Sequence, residues 1–320
     1  MARKLILDLD TGIDDALALA FALGSPDAEL IGVTATYGNV DVATSAHNTL
    51  ALLELFGRTD VPVYCGPGHA RAADRFAVSE VSALIHGRNG LGEVTLLEAR
   101  RGTEPLGAVE FLLDSHARYG AELVIVPTGP LTTIAAAVEA SADFAANAQI
   151  VFMGGALTVP GNVTPWSEAN IHQDPEAANL VLRRAANVTM VGLDVTLRTL
   201  LTRAETAQWQ RLGTRGGDAL SAATNHYIDA YAQLSPHLGG CGLHDPLAVA
   251  VALDPGLCTF LDVALKVDLD EPTRGRTIGD ETRLNDDSRT TRAAVAVDAT
   301  HFHSVFMRRV TAVAARDTQR

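Results

Sequence analysis

The chain has 320 residues, of which 47% are hydrophobic, 20% charged and 5% aromatic, and its formal net charge is −13. That is material enough for a sizeable core in one large α/β domain or two smaller ones. So negative a chain argues against nucleic acid or an anionic membrane surface as partner.

The first predicted elements are also the most informative. Residues 4–10 read as a short apolar strand ending in Asp8-Leu9-Asp10, and residues 14–23 as an amphipathic helix with Asp14 and Asp15 in its first turn. Gly12 supplies the flexible corner between them. Like-charged carboxylates crowded together repel. A helix N-terminus favours Asp14 and Asp15 through its dipole, but Asp8 and Asp10 precede the turn. A hard divalent cation would offset the charge, and oxygen-only ligands suit calcium or magnesium rather than zinc.

The alternation continues along the chain. Strands are expected at 30–36, 61–64, 123–127, 150–153 and 188–193, and helices at 42–56, 106–118, 131–140, 175–185 and 204–212. Short β-branched runs alternating with helices imply an open, mostly parallel sheet flanked by helices, and no linker or composition break divides the chain. A single domain over 1–320 is expected. Ligands of such sheets bind outside the carboxyl ends of the strands. Those ends gather Asp10, Tyr37-Gly38-Asn39, Pro127-Thr128-Gly129-Pro130, Met153-Gly154-Gly155 and Asp194.

Two stretches interrupt the pattern. Residues 66–103, which include IHGRNGLG around His86, are long enough to suggest a mobile active-site loop. Residues 161–178 read GNVTPWSEANIHQDPEAA and place Asn162, Glu168 and Asn170 after the fifth strand, where amides and a carboxylate suit a polyhydroxylated ligand. Asp174 before Pro175 reads simply as a helix N-cap, and Asp245 before Pro246 in GLHDPLAVAVAL allows the same reading. Beside the N-terminal aspartates, Asp245 also becomes a possible metal ligand, with His244 next to it. Cys65, Cys241 and Cys258 form no CxxC pair; each is expected to be a small buried hydrophobe in a reducing compartment. Asp8 and Asp10 break any apolar signal region, and no apolar run reaches spanning length, so a cytoplasmic location is expected.

These motifs resemble, in order, those of the inosine–uridine-preferring nucleoside hydrolases: DLDTGIDDALAL, YGN, IHGRNGLG, PTGPLT, FMGGA, GNVTPWSEAN and LHDPLAVA. The ordered set covers essentially the whole chain. The resemblance implies hydrolysis of the N-glycosidic bond of ribonucleosides, with Asp10, Asp15, Asp245 and the Thr128 carbonyl holding one Ca2+. It further implies Asp10 as general base towards a metal-bound water, and inversion through an oxocarbenium-like transition state. Asp14, Asn39, Asn162, Glu168, Asn170 and Asp245 would grip the ribose hydroxyls, and Met153 would contact the sugar. Asp8 would support the turn from behind. His244 is implied as proton donor to the departing base, and His86 as a further contact once its loop closes. Tyr227 and Tyr231, four apart on one helical face, would line the nucleobase pocket. Members of the family are commonly homodimers or homotetramers.

Two other readings were weighed. Asp8-Leu9-Asp10 after a strand also resembles a haloacid dehalogenase-type phosphatase, but that chemistry wants a positioned lysine, and the chain has only Lys4 and Lys266. A non-catalytic calcium-binding module of EF-hand type fails because the glycine and closing glutamate of that loop are missing.

Overall fold

The computed structural model describes residues 2–284, 286 and 291–316. Six parallel strands follow the predicted order: β1 (Arg3–Leu9), β2 (Ala28–Ala35), β3 (Val63–Cys65), β4 (Leu123–Pro127), β5 (Gln149–Met153) and β6 (Val188–Val191). The sheet runs β3-β2-β1-β4-β5-β6 and continues through Thr291–Val297 to an edge strand, Cys258–Val263. Thr291–Val297 lies parallel to β6, whereas Cys258–Val263 pairs with it antiparallel. The sequence pattern did not pick out these last two strands, although at six and seven residues they are longer than β4, β5 and β6. Cys258–Val263 is followed by further short strands rather than by a helix, and Thr291–Val297 carries few bulky apolar residues.

Alternation of side chains along β1 sends Leu5, Leu7 and Leu9 into one core and Ile6 into the other. On the first face lies α1 (Ile13–Leu23), expected to be amphipathic but buried along its whole length, because beyond Asp15 it is apolar on every side. Helices His244–Leu253 and Ala299–Ala314 pack beside it. The second face is covered by Thr132–Ala140 and Pro175–Arg184, which pack on each other. The order β3-β2-β1-β4-β5-β6 reverses direction between β1 and β4. A crevice therefore opens at the carboxyl ends of these two strands, the place where such sheets bind ligands.

Residues 66–103 contain a short helix, α2 (Glu80–His86), inside otherwise irregular chain. One expectation needs correction. Of the cysteines only Cys241 is buried; Cys65 is exposed at the β3 edge of the sheet and Cys258 partly so.

A two-stranded ribbon, Leu265–Val267 with Thr277–Gly279, props the turn after β5: Ala156 donates its N–H to Thr277 Oγ1 at 2.9 Å and accepts from that hydroxyl at 2.9 Å. The ribbon is closed by Asp280, whose N–H donates to the Ala264 carbonyl at 2.8 Å. Burial alone would raise the Asp280 carboxyl, but hydrogen bonds from Thr282 and Arg283 and the nearby Arg183 outweigh it and hold the group at about 2. Because the folded value lies below the free value of 3.8, the stabilisation is complete above that pH and disappears as pH falls through about 2. Asp280→Ala is expected to cost about 2 kcal/mol at pH 7. Its deficit in chemical denaturation should shrink as pH drops below about 4.

Candidate functional site

β1 delivers Asp8 and Asp10 to the crevice, and the chain turns at once into α1. Gly12 caps that helix, and its N–H donates to Asp15 Oδ2 at 2.8 Å. Glycine is required here by space. A Cβ would stand 2.6 Å from His86 Nδ1 and 2.7 Å from Asn39 Nδ2, closer than real Cβ atoms come. At Gly38, φ is +154° and a Cβ would run into Asp10 Oδ2.

Asp8, Asp10 and Asp15 are wholly inaccessible and Asp14 and Asp245 nearly so. Asp10 Oδ2 accepts the Asn39 N–H at 2.7 Å. Asp15 Oδ2 accepts from Asn39 Nδ2 at 3.2 Å and its Oδ1 from Thr128 Oγ1 at 2.7 Å. Tyr227 O–H donates to Asp14 Oδ2 at 3.2 Å. Asp10 Oδ1 and Asp14 Oδ1, both buried, have no hydrogen-bond partner. Asp14, Asp15 and Asp245 each offer a ligand atom within 4.8 Å of the others.

Burial pushes these carboxyls up, and repulsion from neighbouring carboxylates adds to it at Asp10, Asp15 and Asp245. Asp14 rises to about 6, and Asp10 and Asp245 rise well above the usual range. The converging carboxylates of Asp14, Asp15 and Asp245, an oxygen-only set with an unpartnered buried oxygen on Asp14, fit a hard divalent cation. Asp8 differs. Its Oδ1 accepts from Thr34 Oγ1 at 2.6 Å, its carbonyl accepts the Thr128 N–H at 2.9 Å, and burial lifts its carboxyl to about 7. It binds β1 to the neighbouring strands from behind the site.

Above the cluster lies a cavity of about 450 Å³. Asp14, Asn39, Thr128, Met153, Asn170 and Asp245 line its floor. Asn170 Nδ2 donates to the Thr128 carbonyl at 2.6 Å and the Met153 carbonyl at 3.1 Å, joining the ends of β4 and β5. Glu168 caps the helix Ala169–Gln173: Oε1 accepts from Asn170 N at 3.0 Å, and Oε2 accepts from Gly155 N and Ile171 N. Asn162, also on the wall, is exposed and accepts the Ala169 N–H. Trp166 stands outside this wall, half-exposed, with Arg276 over its ring.

The opposite wall is aromatic and titratable. Tyr227 and Tyr231 project from the helix Arg215–Leu234 with ring centroids 5.0 Å apart. Tyr231 O–H lies 2.6 Å from His244 Nε2, and His244 Nδ1 lies 2.8 Å from Thr196 Oγ1. Burial pushes the His244 imidazole down to about 4. His86 is buried too, lowered to about 4 by burial against the pull of Asp15, and its Nδ1 accepts the Ile13 N–H at 3.2 Å. Its α2 neighbour Ser82 donates to the Asn39 carbonyl at 3.0 Å. The 66–103 segment thus closes over the site in this structure. Sequence reasoning missed Thr196 and Phe76, a further lining residue. Thr196 follows a strand end, the one signal it carries, and Phe76 sits in chain without periodicity.

The model of the inosine-uridine preferring nucleoside hydrolase family matches residues 5–304. The chain belongs to that family. The hydrolase is 35% identical to a probable uridine nucleosidase of Arabidopsis thaliana over 305 residues, 93% of this chain and 94% of that protein. It is 32% identical to an inosine-uridine preferring nucleoside hydrolase of Crithidia fasciculata, covering 94% of this chain and 95% of that one. A solved purine-preferring ribonucleoside hydrolase from Gardnerella vaginalis is 53% identical, with TM-score 0.95 over 98% of this chain and 99% of that one. The hydrolase is therefore an N-glycosyl hydrolase acting on ribonucleosides. Among the described residues no helix is long and apolar enough to cross a membrane.

The packing around Gly12 makes a direct prediction. Gly12→Ala must displace His86 or Asn39, so base release should fall at least about tenfold while the core stays folded, with an overpacking cost of about 1–3 kcal/mol seen in thermal unfolding.

Proposed function

We propose that the hydrolase cleaves ribonucleosides with Ca2+ held by Asp10, Asp15, Asp245 and the Thr128 carbonyl, and with inversion at the anomeric carbon. The observation that carries this reading is the pair of unpartnered buried oxygens, Asp10 Oδ1 and Asp14 Oδ1, beneath a cavity whose far wall bears Tyr231 and His244. Bound there, the ion would lower the pKa of a coordinated water and help to fix ribose hydroxyls.

The chain's own groups do the remaining work. Asp10 Oδ1 is free to take a proton from water attacking the face opposite the base, while Oδ2 stays fixed by the Asn39 N–H. Asp14, Asn39, Asn162, Glu168, Asn170 and Asp245 orient the ribose from the floor and wall, with Met153 against the sugar. The same carboxylates oppose the positive charge that grows on the ribosyl ring. At the other end the base leaves with a proton. The Tyr231 hydroxyl, held by His244 Nε2, hands its proton to the base, and solvent returns one to the tyrosinate once the base has left. Tyr227, its hydroxyl engaged by Asp14, offers the base its ring. His86 holds the 66–103 segment on the N-terminus of α1 and contributes to the same pocket.

Base release from uridine, inosine and a nucleoside 5′-phosphate, with and without prior chelation, tests this reading. Free base from a nucleoside, lost on chelation and restored by Ca2+, is expected; release that survives complete metal removal would refute it. Asp10→Asn should lower turnover by at least about a thousandfold by removing the base. His244→Ala and Tyr231→Phe should slow uridine or inosine cleavage about 10²–10⁴-fold yet spare p-nitrophenyl riboside, whose leaving group needs little protonation. Equal losses on both kinds of substrate would exclude the pair from proton donation.

A further inference from the structure

Asp174 does more than cap a helix. It is fully buried, and its two oxygens accept three hydrogen bonds from three separate parts of the chain. Oδ1 takes the Ala177 N–H at 3.0 Å, the ordinary N-cap bond of the helix Pro175–Arg184. Oδ2 takes the Arg71 N–H at 3.0 Å and the Thr132 hydroxyl at 2.7 Å. A carboxylate oxygen only accepts, so Thr132 must donate to it. Thr132 Oγ1 then serves as acceptor for the Tyr37 hydroxyl at 2.8 Å. The direction of the chain Tyr37→Thr132→Asp174 is thereby fixed.

The segments joined this way all border the site. Tyr37 follows β2 and stands two residues before Asn39, whose N–H and amide hold Asp10 and Asp15. Thr132 follows β4, four residues after Thr128. Arg71 lies near the start of the 66–103 segment, and five residues on is Phe76, which lines the cavity with its ring 4.9 Å from that of Tyr37. One buried carboxylate therefore sets where the segment leaves the body and where the ring beneath Phe76 stands.

We propose that Asp174 is a positioning residue for substrate binding, acting through Arg71 and through Thr132 and Tyr37 on the Phe76 wall. It touches neither the carboxylate cluster nor the Tyr231–His244 pair, so its effect falls on KM more than on kcat. The inference rests on the hydrolase reading only in using nucleoside cleavage as its assay.

Asp174→Asn is the informative variant. Asparagine is as good an N-cap as aspartate, so the helix Pro175–Arg184 keeps its start. An amide, however, has one acceptor oxygen where the carboxylate has two, so either the Arg71 and Thr132 donors or the Ala177 donor must face an NH2 group. The expected result is a KM raised about tenfold, with kcat changed less than about threefold and faster amide exchange over residues 71–77. Tyr37→Phe, which cuts the chain one link earlier, should give the same pattern at smaller size. A purely structural role would lower thermal stability with KM and the exchange of 71–77 unchanged, and that result in both variants overturns the proposal. So does a loss in kcat alone. If the wild type released no base, the exchange measurement would still decide between the two roles.

Discussion

The constraint on which the molecule depends is the repulsion among carboxylates that the fold itself takes out of water. Asp10, Asp14, Asp15 and Asp245 come from two helix starts and one strand end, and the structure gives them few donors. A side chain left in that state either takes up a proton or meets a cation. Burial pushes Asp10, Asp14 and Asp245 upward, and for Asp10 and Asp245 the neighbouring carboxylates add to it. A protein could relieve it by replacing one aspartate; keeping all of them makes sense where the negative charge is used.

The fold makes the cluster possible by stacking two regularities. The reversal of strand order between β1 and β4 leaves a crevice, and α1 begins immediately beyond it, with its dipole favouring Asp14 and Asp15. The second half of the site comes from the opposite side, where the helix Arg215–Leu234 brings Tyr227 to Asp14 and Tyr231 to His244. Carboxylates stand on one side of the cavity and the Tyr231–His244 pair on the other. In the proposed reaction that polarity suits a bond that breaks to leave a cationic ring and an anionic base.

Much of this was legible in the sequence, for identifiable reasons. β4 matched to the residue, and β1, β2, β5 and β6 to within a few residues, because a buried parallel strand is a short apolar run with a turn behind it. The aspartates stood out because nothing local explains Asp8 and Asp10. What escaped were relationships between distant segments. The burial that pushes His244 down comes from elements that sequence spacing does not reveal. Asp174 looked like a cap, since Arg71 and Thr132 are 103 and 42 residues away from it. The strand Thr291–Val297 was missed because its Thr-Arg-Ala-Ala opening lacks the run of bulky apolar residues that marked the others.

The most direct test of the central claim is calorimetric titration of Ca2+ into metal-stripped protein, in two buffers of different ionisation enthalpy. The account predicts one strong site per chain, proton release on binding, and affinity that rises with pH, because the cation takes the deprotonated form of groups that burial has raised. Absence of a strong site, or binding with no proton release below pH 6, would contradict it.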